Sequence, residues 1–260
     1  MSVDASVDAS ARIDPTAELD TGVSVGPWSI IGPNVSIGAG TDVGSSVVIR
    51  SNTRIGRNNR IFQFSSIGED PSDKKYAGED SYLEIGDNNI IREGVTLHRG
   101  TGGGGVTRIG SDNLLMPYVH VAHDCQIGNN IVLANNVGIT GHVEVADWVI
   151  LGGYVGVNQF LKISAHAMVG GMAHITHDIP AYMILSGNPA KIRGVNVIGL
   201  ERRGFDKVTI AAIREAFKIV YKRNLKLREA IEQIRLIDTG GDALRVLIDS
   251  LEASQKGIHR

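Results

Sequence analysis

A mainly β chain, wound as a parallel β-helix and followed by a small α-helical domain, is the fold class that this 260-residue sequence predicts. Three observations carry it: an aliphatic residue at every sixth position, small residues at the intervening corners, and a helical texture confined to the end of the chain. From Val7 through Ile13, Leu19, Val25 and onward to Ile175, steps of six land on Ile, Leu or Val at 26 of 29 positions. Only Asp73, Glu79 and Gly103 break the series, so the period belongs to the fold and not to composition. It matches neither a 3.6-residue helix nor an alternating strand. Three short strands per coil of about 18 residues satisfy it, with the aliphatics stacked inward coil upon coil.

Taken in order, residues 1–190 read as the β-helix. The position after the aliphatic is often glycine, as at Gly26, Gly32, Gly38 and Gly56, where a Cβ is expected to obstruct the corner. Two excursions interrupt the coils. Residues 69–82, EDPSDKKYAGEDSY, are charged and rich in turn formers, and residues 100–108, GTGGGGVTR, are glycine-rich. Both suit solvated loops, yet long loops on a rigid scaffold often carry function. The coil pattern ends near Gly187–Lys191, and residues 191–260 read as helical. There Asp206 is placed to cap a segment with Ile210, Ile213, Phe217 and Val220 on one stripe. Leu227, Ile231, Ile234 and Ile237 repeat that spacing, as do Leu244, Leu247, Ile248 and Leu251.

Composition excludes several function classes. A formal charge of −2 and a pI near 6.4 give no electrostatic reason to expect nucleic acid. A single cysteine, Cys125, rules out an intrachain disulfide framework and fits a reducing compartment. The first residues, MSVDASVDAS, show neither a basic nor an apolar leader, and no apolar run is long enough to span a membrane. A cytoplasmic protein is the expectation.

The repeat also locates neighbours in space. Residues one coil apart sit on adjacent strands, roughly 4.8 Å from each other. His123 then stacks on Gly141 and Gln159, Asp124 stacks on His142, and His120 lies at the preceding corner. Acyl transfer from a thioester to a hydroxyl needs a base for the O–H and a donor for the oxyanion. Histidine beside a carboxylate meets the first need, and an unobstructed glycine N–H meets the second.

The segments IREGVTLHRG (91–100), IGSDNLLMPYVHVAHDCQIGNN (109–130), LANN (133–136) and GLERRGF (199–205) resemble the UDP-N-acetylglucosamine O-acyltransferases that begin lipid A synthesis. The likeness spans nearly the whole chain, and the H-x-x-H-D core at His120–Asp124 is its most specific part. It implies a left-handed coil and a homotrimer. It also implies transfer of a 3-hydroxyacyl group from acyl carrier protein to the 3-hydroxyl of UDP-N-acetylglucosamine, with no cofactor and no metal. By resemblance, His123 is the general base, Asp124 orients it, and the Gly141 N–H is the oxyanion donor. His98, His120, His142 and Gln159 fall on positions that contact sugar or acyl donor. Asp73 and Lys75 match loop residues that reach a neighbouring subunit's substrate. Asn196, Arg202 and Arg203 match positions near the nucleotide diphosphate, for which the planar fork of arginine is suited. Gly171 matches a position that limits acyl length; a glycine there, stacked on Gly153, implies a long chain unless Met172 intrudes.

Some residues depart from the family pattern. Ser72 and Lys74 stand where Gln and Leu are common, Asn158 replaces a common histidine, and Ile198 a common glutamate. These departures leave open an acceptor with an amine at C3. Three further readings remain: a trimeric zinc enzyme of the hexapeptide carbonic anhydrase type, the N-acyltransferase of the same pathway, and a non-catalytic scaffold. The zinc reading lacks a second histidine stacked on His123. The N-acyltransferase carries an N-terminal uridine-binding domain, whereas coils here begin by Val7.

Overall fold

The computed structural model describes residues 5–238 and 240–260, so residues 1–4 of the expected β-helix domain lie outside the described residues. Between Ser6 and Ser186 the chain winds through strands of mostly two residues. From Ser6–Val7 to Gly156–Val157 each strand pairs in parallel with the strand three further along. Three flat sheets result, of 11, 9 and 8 strands among the described residues. The first runs from Ser6–Val7 to Lys191–Val195, the second from Arg12–Ile13 to His174–Ile175, and the third from Glu18–Leu19 to Lys162–Ile163. Register follows the predicted coil: Ser6 pairs with Ser24, Ser24 with Asp42, and Val132 with Ile150.

The six-residue phase is the core. Ile49, Ile67, Leu97, Val121 and Ile139 are completely buried, each stacked on its counterpart one coil away. A second inward position lies two residues before each of them. It holds valines at Val23, Val35 and Val47, but polar residues at Thr41, Asn59, Asn89 and Asn113, all buried. These four form a ladder along the coil axis. Thr41 Oγ1 accepts from the Asn59 N–H (3.1 Å), Asn59 Oδ1 from Asn89 N–H (2.9 Å), and Asn89 Oδ1 from Asn113 N–H (3.0 Å). Asn113 Oδ1 closes the run on the Ile131 N–H at 2.7 Å. Each side chain thereby satisfies a backbone donor that the corner would otherwise leave orphaned inside the core.

The corner glycines are small for the reason expected, because a Cβ would be obstructed, and the obstructing atoms belong to the next coil. Gly26 and Gly38 do not carry the left-handed turn, which falls two residues on, at Trp28 (φ 64°) and Gly40 (φ 70°). They are small because the next coil passes directly over them. A Cβ on Gly26 would stand 2.8 Å from the Gly44 carbonyl carbon, and one on Gly38 2.8 Å from that of Gly56.

Both excursions leave and re-enter at corners. Arg60 pairs with Ile90 and Ile90 with Leu114, offsets of 30 and 24 where other coils have 18. The loops are shorter than the composition suggested. Glu69 and Tyr82 belong to strands, and Val106–Arg108 form most of strand Val106–Ile109, paired with Tyr82–Ile85.

After Met183–Ser186 the chain reverses, and Lys191–Val195 adds antiparallel to it. Among the described residues four helices follow: α1 (Val197–Arg202), α2 (Lys207–Lys222), α3 (Leu227–Ile237) and α4 (Asp242–Glu252). Asp206 caps α2 as expected, accepting from the Thr209 N–H at 2.8 Å. Ile213, Ile234 and Leu247 are fully buried where α2, α3 and α4 meet. The tail returns to the last coil, where the Asp178 N–H donates to Gly257 O (2.9 Å) and the His259 N–H to Asp178 O (3.0 Å). Among the described residues, no helix is long and apolar enough to cross a membrane.

Replacing Asn89 by Ala removes the acceptor of the Asn113 N–H and the donor to Gly110 O. Each buried group left unpaired costs about 1–3 kcal/mol. Urea unfolding of Asn89→Ala is expected to show a clearly lowered midpoint with the native circular dichroism spectrum retained; an unchanged midpoint would mean the ladder is not stabilising.

Candidate active site

Coil stacking brings the predicted histidines to one edge of the prism. His123 Nδ1 lies 2.8 Å from Asp124 Oδ2, and both side chains are more than four-fifths buried. A carboxylate only accepts, so Nδ1 carries the proton and Nε2 keeps its lone pair outward. Asp124 sits at a left-handed corner (φ 58°), a conformation Asp tolerates better than most residues, and its N–H donates to Thr107 Oγ1 at 2.8 Å. Burial alone pushes the Asp124 carboxyl up, but donors from Thr101 and His123 and the nearby His142 leave it below the usual carboxylate range.

One coil on, the His142 N–H donates to His123 O (3.0 Å), and the two imidazoles meet edge to face with centroids 5.2 Å apart. His142 stacks flat on Phe160 at 4.6 Å, and Lys256 Nζ stands 5.6 Å from that ring. Gly141 lies under the base: a Cβ there would be 2.5 Å from His123 Cε1. Among the described residues its N–H meets no acceptor, whereas those of Thr140 and His142 are both bonded. Gln159 is exposed on the next coil beside Phe160.

On the other side of His123, His98 and His120 meet edge to face at 4.9 Å. His120 Nδ1 is 2.7 Å from Thr96 Oγ1, and His98 Nδ1 is 3.3 Å from Ser72 Oγ in the first excursion. Burial lowers the affinity of both rings for a proton, His120 down to about 4 with a further push from His98 and His123. Asp73 and Lys75 lie further out in that loop, where Asp73 Oδ1 accepts from the Lys75 N–H at 2.9 Å. The loop is pinned by Arg99, which sequence reasoning missed. Its guanidinium is buried and donates to Gly68 O (2.8 Å), to Ser51, to Tyr76 and to Asp70.

Asn196, Arg202 and Arg203 lie apart from this cluster, around α1. Asn196 is buried and both ends of its amide are engaged: Oδ1 accepts from the Gly199 N–H (3.2 Å) and Nδ2 donates to His166 O (2.9 Å). It is the N-cap of α1. Arg202 and Ile198 are exposed. Arg203 lies over Trp148 at 5.2 Å and donates to His166 Nδ1 at 3.1 Å. His166 in turn is sandwiched between Trp148 and Tyr182. A Cβ on Gly171 would stand 3.1 Å from Gly153 O, so close passage of two backbones gives that glycine a packing reason alongside the spatial one inferred from sequence.

His123, Asp124 and His142 offer ligand atoms within 4.8 Å of one another, the spacing of a candidate cation site. Their lone pairs are differently committed. Asp124 Oδ2 already accepts from Thr101 Oγ1 (2.7 Å) and His123 Nδ1, so the set describes an oriented base better than a ligand cage.

A triangular coil of six-residue steps carrying such a base beside a free backbone N–H defines an acyltransferase of the hexapeptide-repeat class. The bacterial transferase hexapeptide profile matches residues 107–141, and the profile for the second domain of UDP-N-acetylglucosamine O-acyltransferases matches residues 178–259. An acyl-[acyl-carrier-protein]–UDP-N-acetylglucosamine O-acyltransferase of Saccharophagus degradans is 57% identical, over 78% of this chain and 79% of its own. Among solved structures, LpxA of Acinetobacter baumannii superposes with a TM-score of 0.95 at 49% identity, covering 98% of this chain and 99% of that one. The UDP-N-acetylglucosamine acyltransferase of Arabidopsis does so at 0.87 and 31%, covering 98% and 100%. The chain belongs to the UDP-N-acetylglucosamine O-acyltransferase family, and the expected left-handed parallel β-helix with C-terminal helices is borne out.

Burial, with the Arg203 charge beside it, pushes the His166 imidazole down to about 4, far below its ordinary value near 6.5. The unfolded chain therefore binds more protons at His166 and His120 between these limits, and stability must fall as pH drops from about 6.5 toward 4. Thermal unfolding midpoints are expected to decline across that window. His166→Phe, which keeps the stacking and removes the titration, should flatten the decline; an unaltered slope would count against this origin.

Proposed function

We propose that the protein transfers a 3-hydroxyacyl chain from acyl carrier protein to the 3-hydroxyl of UDP-N-acetylglucosamine, with His123 as general base. The carrying observation is the His123 Nδ1–Asp124 Oδ2 bond of 2.8 Å, which fixes the tautomer and leaves Nε2 free beside the unpaired Gly141 N–H. In this reading Nε2 removes the proton of the sugar hydroxyl as the oxygen attacks the thioester carbon. The Gly141 N–H receives the developing oxyanion, where a preorganised donor counts most. The tetrahedral intermediate then collapses, the C–S bond breaks, and the imidazolium returns its proton to the departing thiolate. Asp124 orients the ring and stabilises its charged form without taking the proton. His98, His120, His142 and Gln159 line the approach of sugar and acyl donor. Arg202 and Arg203 serve the diphosphate, with Asn196 acting through its cap on α1.

His123→Ala is expected to lose the roughly 10²–10⁴-fold typical of a general base while melting normally. Asp124→Ala should lose less. The assay uses UDP-N-acetylglucosamine with a panel of 3-hydroxyacyl carrier proteins. Near-wild-type turnover in His123→Ala would remove the assignment, and preference for a 3-amino acceptor would redirect it to amide formation.

A homotrimer with sites at subunit interfaces is part of the same proposal. One corner column carries Phe64, Tyr118, Tyr154 and Met172, each at least 65% exposed and each in the left-handed region that bulky residues rarely adopt. An apolar edge of this kind suits burial against a second copy. Asp73 and Lys75 bond to each other's loop and to no distant residue among those described, which fits a role toward a neighbour. Sedimentation should give a trimer, and mixing inactive His123→Ala with inactive Asp73→Ala subunits should restore part of the activity. A monomer, or mixtures that stay inactive, would contradict shared sites.

A further inference from the structure

The glycine-rich excursion returns to the site through one residue. The Thr101 N–H lies 3.1 Å from each carboxylate oxygen of Asp124, and the Thr101 hydroxyl lies 2.7 Å from Oδ2. Oδ2 is the same oxygen that accepts the His123 Nδ1 proton. A carboxylate free to turn about its last bond presents either oxygen, at a range of angles, to its neighbour. Donors reaching both oxygens from one side remove that freedom.

The excursion that carries Thr101 is itself held. The Gly102 N–H donates to Glu79 Oε1 at 3.1 Å, the Gly104 N–H to Asp80 O at 2.9 Å, and the Gly100 N–H to Tyr82 O at 3.1 Å. Glu79 Oε2 also accepts from the Ala77 N–H at 2.8 Å, so the two excursions are stitched together. Thr101 thus approaches Asp124 from an anchored loop, and the carboxylate meets a fixed donor pair instead of solvent.

We propose that Thr101 is a positioning residue for the reaction: its hydroxyl sets the plane of the Asp124 carboxylate, and through it the direction in which His123 Nε2 points. This rests on His123 being the general base. Thr101 touches neither reacting atom, so its effect appears in the rate of the bound complex and not in substrate affinity.

Thr101→Val keeps the shape of the side chain and deletes the hydroxyl donor, while Thr101→Ser keeps the donor. The valine variant is expected to lower kcat about tenfold, a fraction of what a general base contributes. Its KM for UDP-N-acetylglucosamine and its melting temperature should stay near those of the parent. The serine variant should recover most of the rate. In an Asp124→Ala background, adding Thr101→Val should cost nothing more, because the group it positions is gone. Full activity in Thr101→Val would overturn the proposal. So would equal losses in the valine and serine variants, a raised KM with a lowered melting temperature, or additive losses in the double mutant. His123→Ala, run in parallel, separates the outcomes: activity there removes the functional reading, whereas a dead His123→Ala beside a normal Thr101→Val removes only the role of Thr101.

Discussion

Every feature of this molecule depends on one repeated contact, the parallel backbone pairing of each strand with the strand one coil away. Because Ser24 pairs with both Ser6 and Asp42, and Val132 with both Leu114 and Ile150, the coils are locked in register along the whole prism. Register decides which side chains lie over one another, and therefore both the core and the site. A slip of one residue in any coil would send its aliphatics outward and tear the histidine cluster apart.

Hydrophobic stacking alone holds register weakly, since Ile on Ile slides at little cost in direction. The buried Thr41–Asn59–Asn89–Asn113 ladder supplies the directional component. Each amide has one backbone N–H at the correct height, so a displaced coil would leave polar groups unpaired in an apolar interior. The ladder spans the coils that bear the two excursions, where the sequence spacing is irregular and pairing has most need of a marker.

The regular part of the fold and half of the site were legible from spacing. The aliphatic steps of the phase from Leu19 to Ile175 are the buried core, with Val7 and Ile13 half-buried in the first coil, and stacking by one coil correctly placed Gly141 under His123 and His142 beside Asp124. What the spacing could not give lies where the period fails. Thr101 reaches the site, and Arg99 pins the first excursion, across offsets that the excursions change, so counting residues says nothing about their neighbours. His98 meets His120 for the same reason, across an offset of 24 at the Thr96–His120 pair. Asn196 illustrates a second blindness. Its amide serves as a helix cap and a tie to His166 O, a role set by the local turn and invisible in residue type. The packing of Arg203 was hidden because nothing in the helical stripe announces that Trp148 and His166, far away in sequence, face it.

The two excursions add segments while the core pairs of the adjoining sheet persist: Ile61 still pairs with Ile91, and Ile91 with Leu115, and the first excursion leaves through a local register shift between Ile67 and Glu69. Closing such a loop costs an entropy that grows only slowly with its length. The prism therefore works as a pegboard for descent by insertion. New chemistry can be threaded in at a corner and tried against a neighbour, while the packed interior inherits no obligation to change.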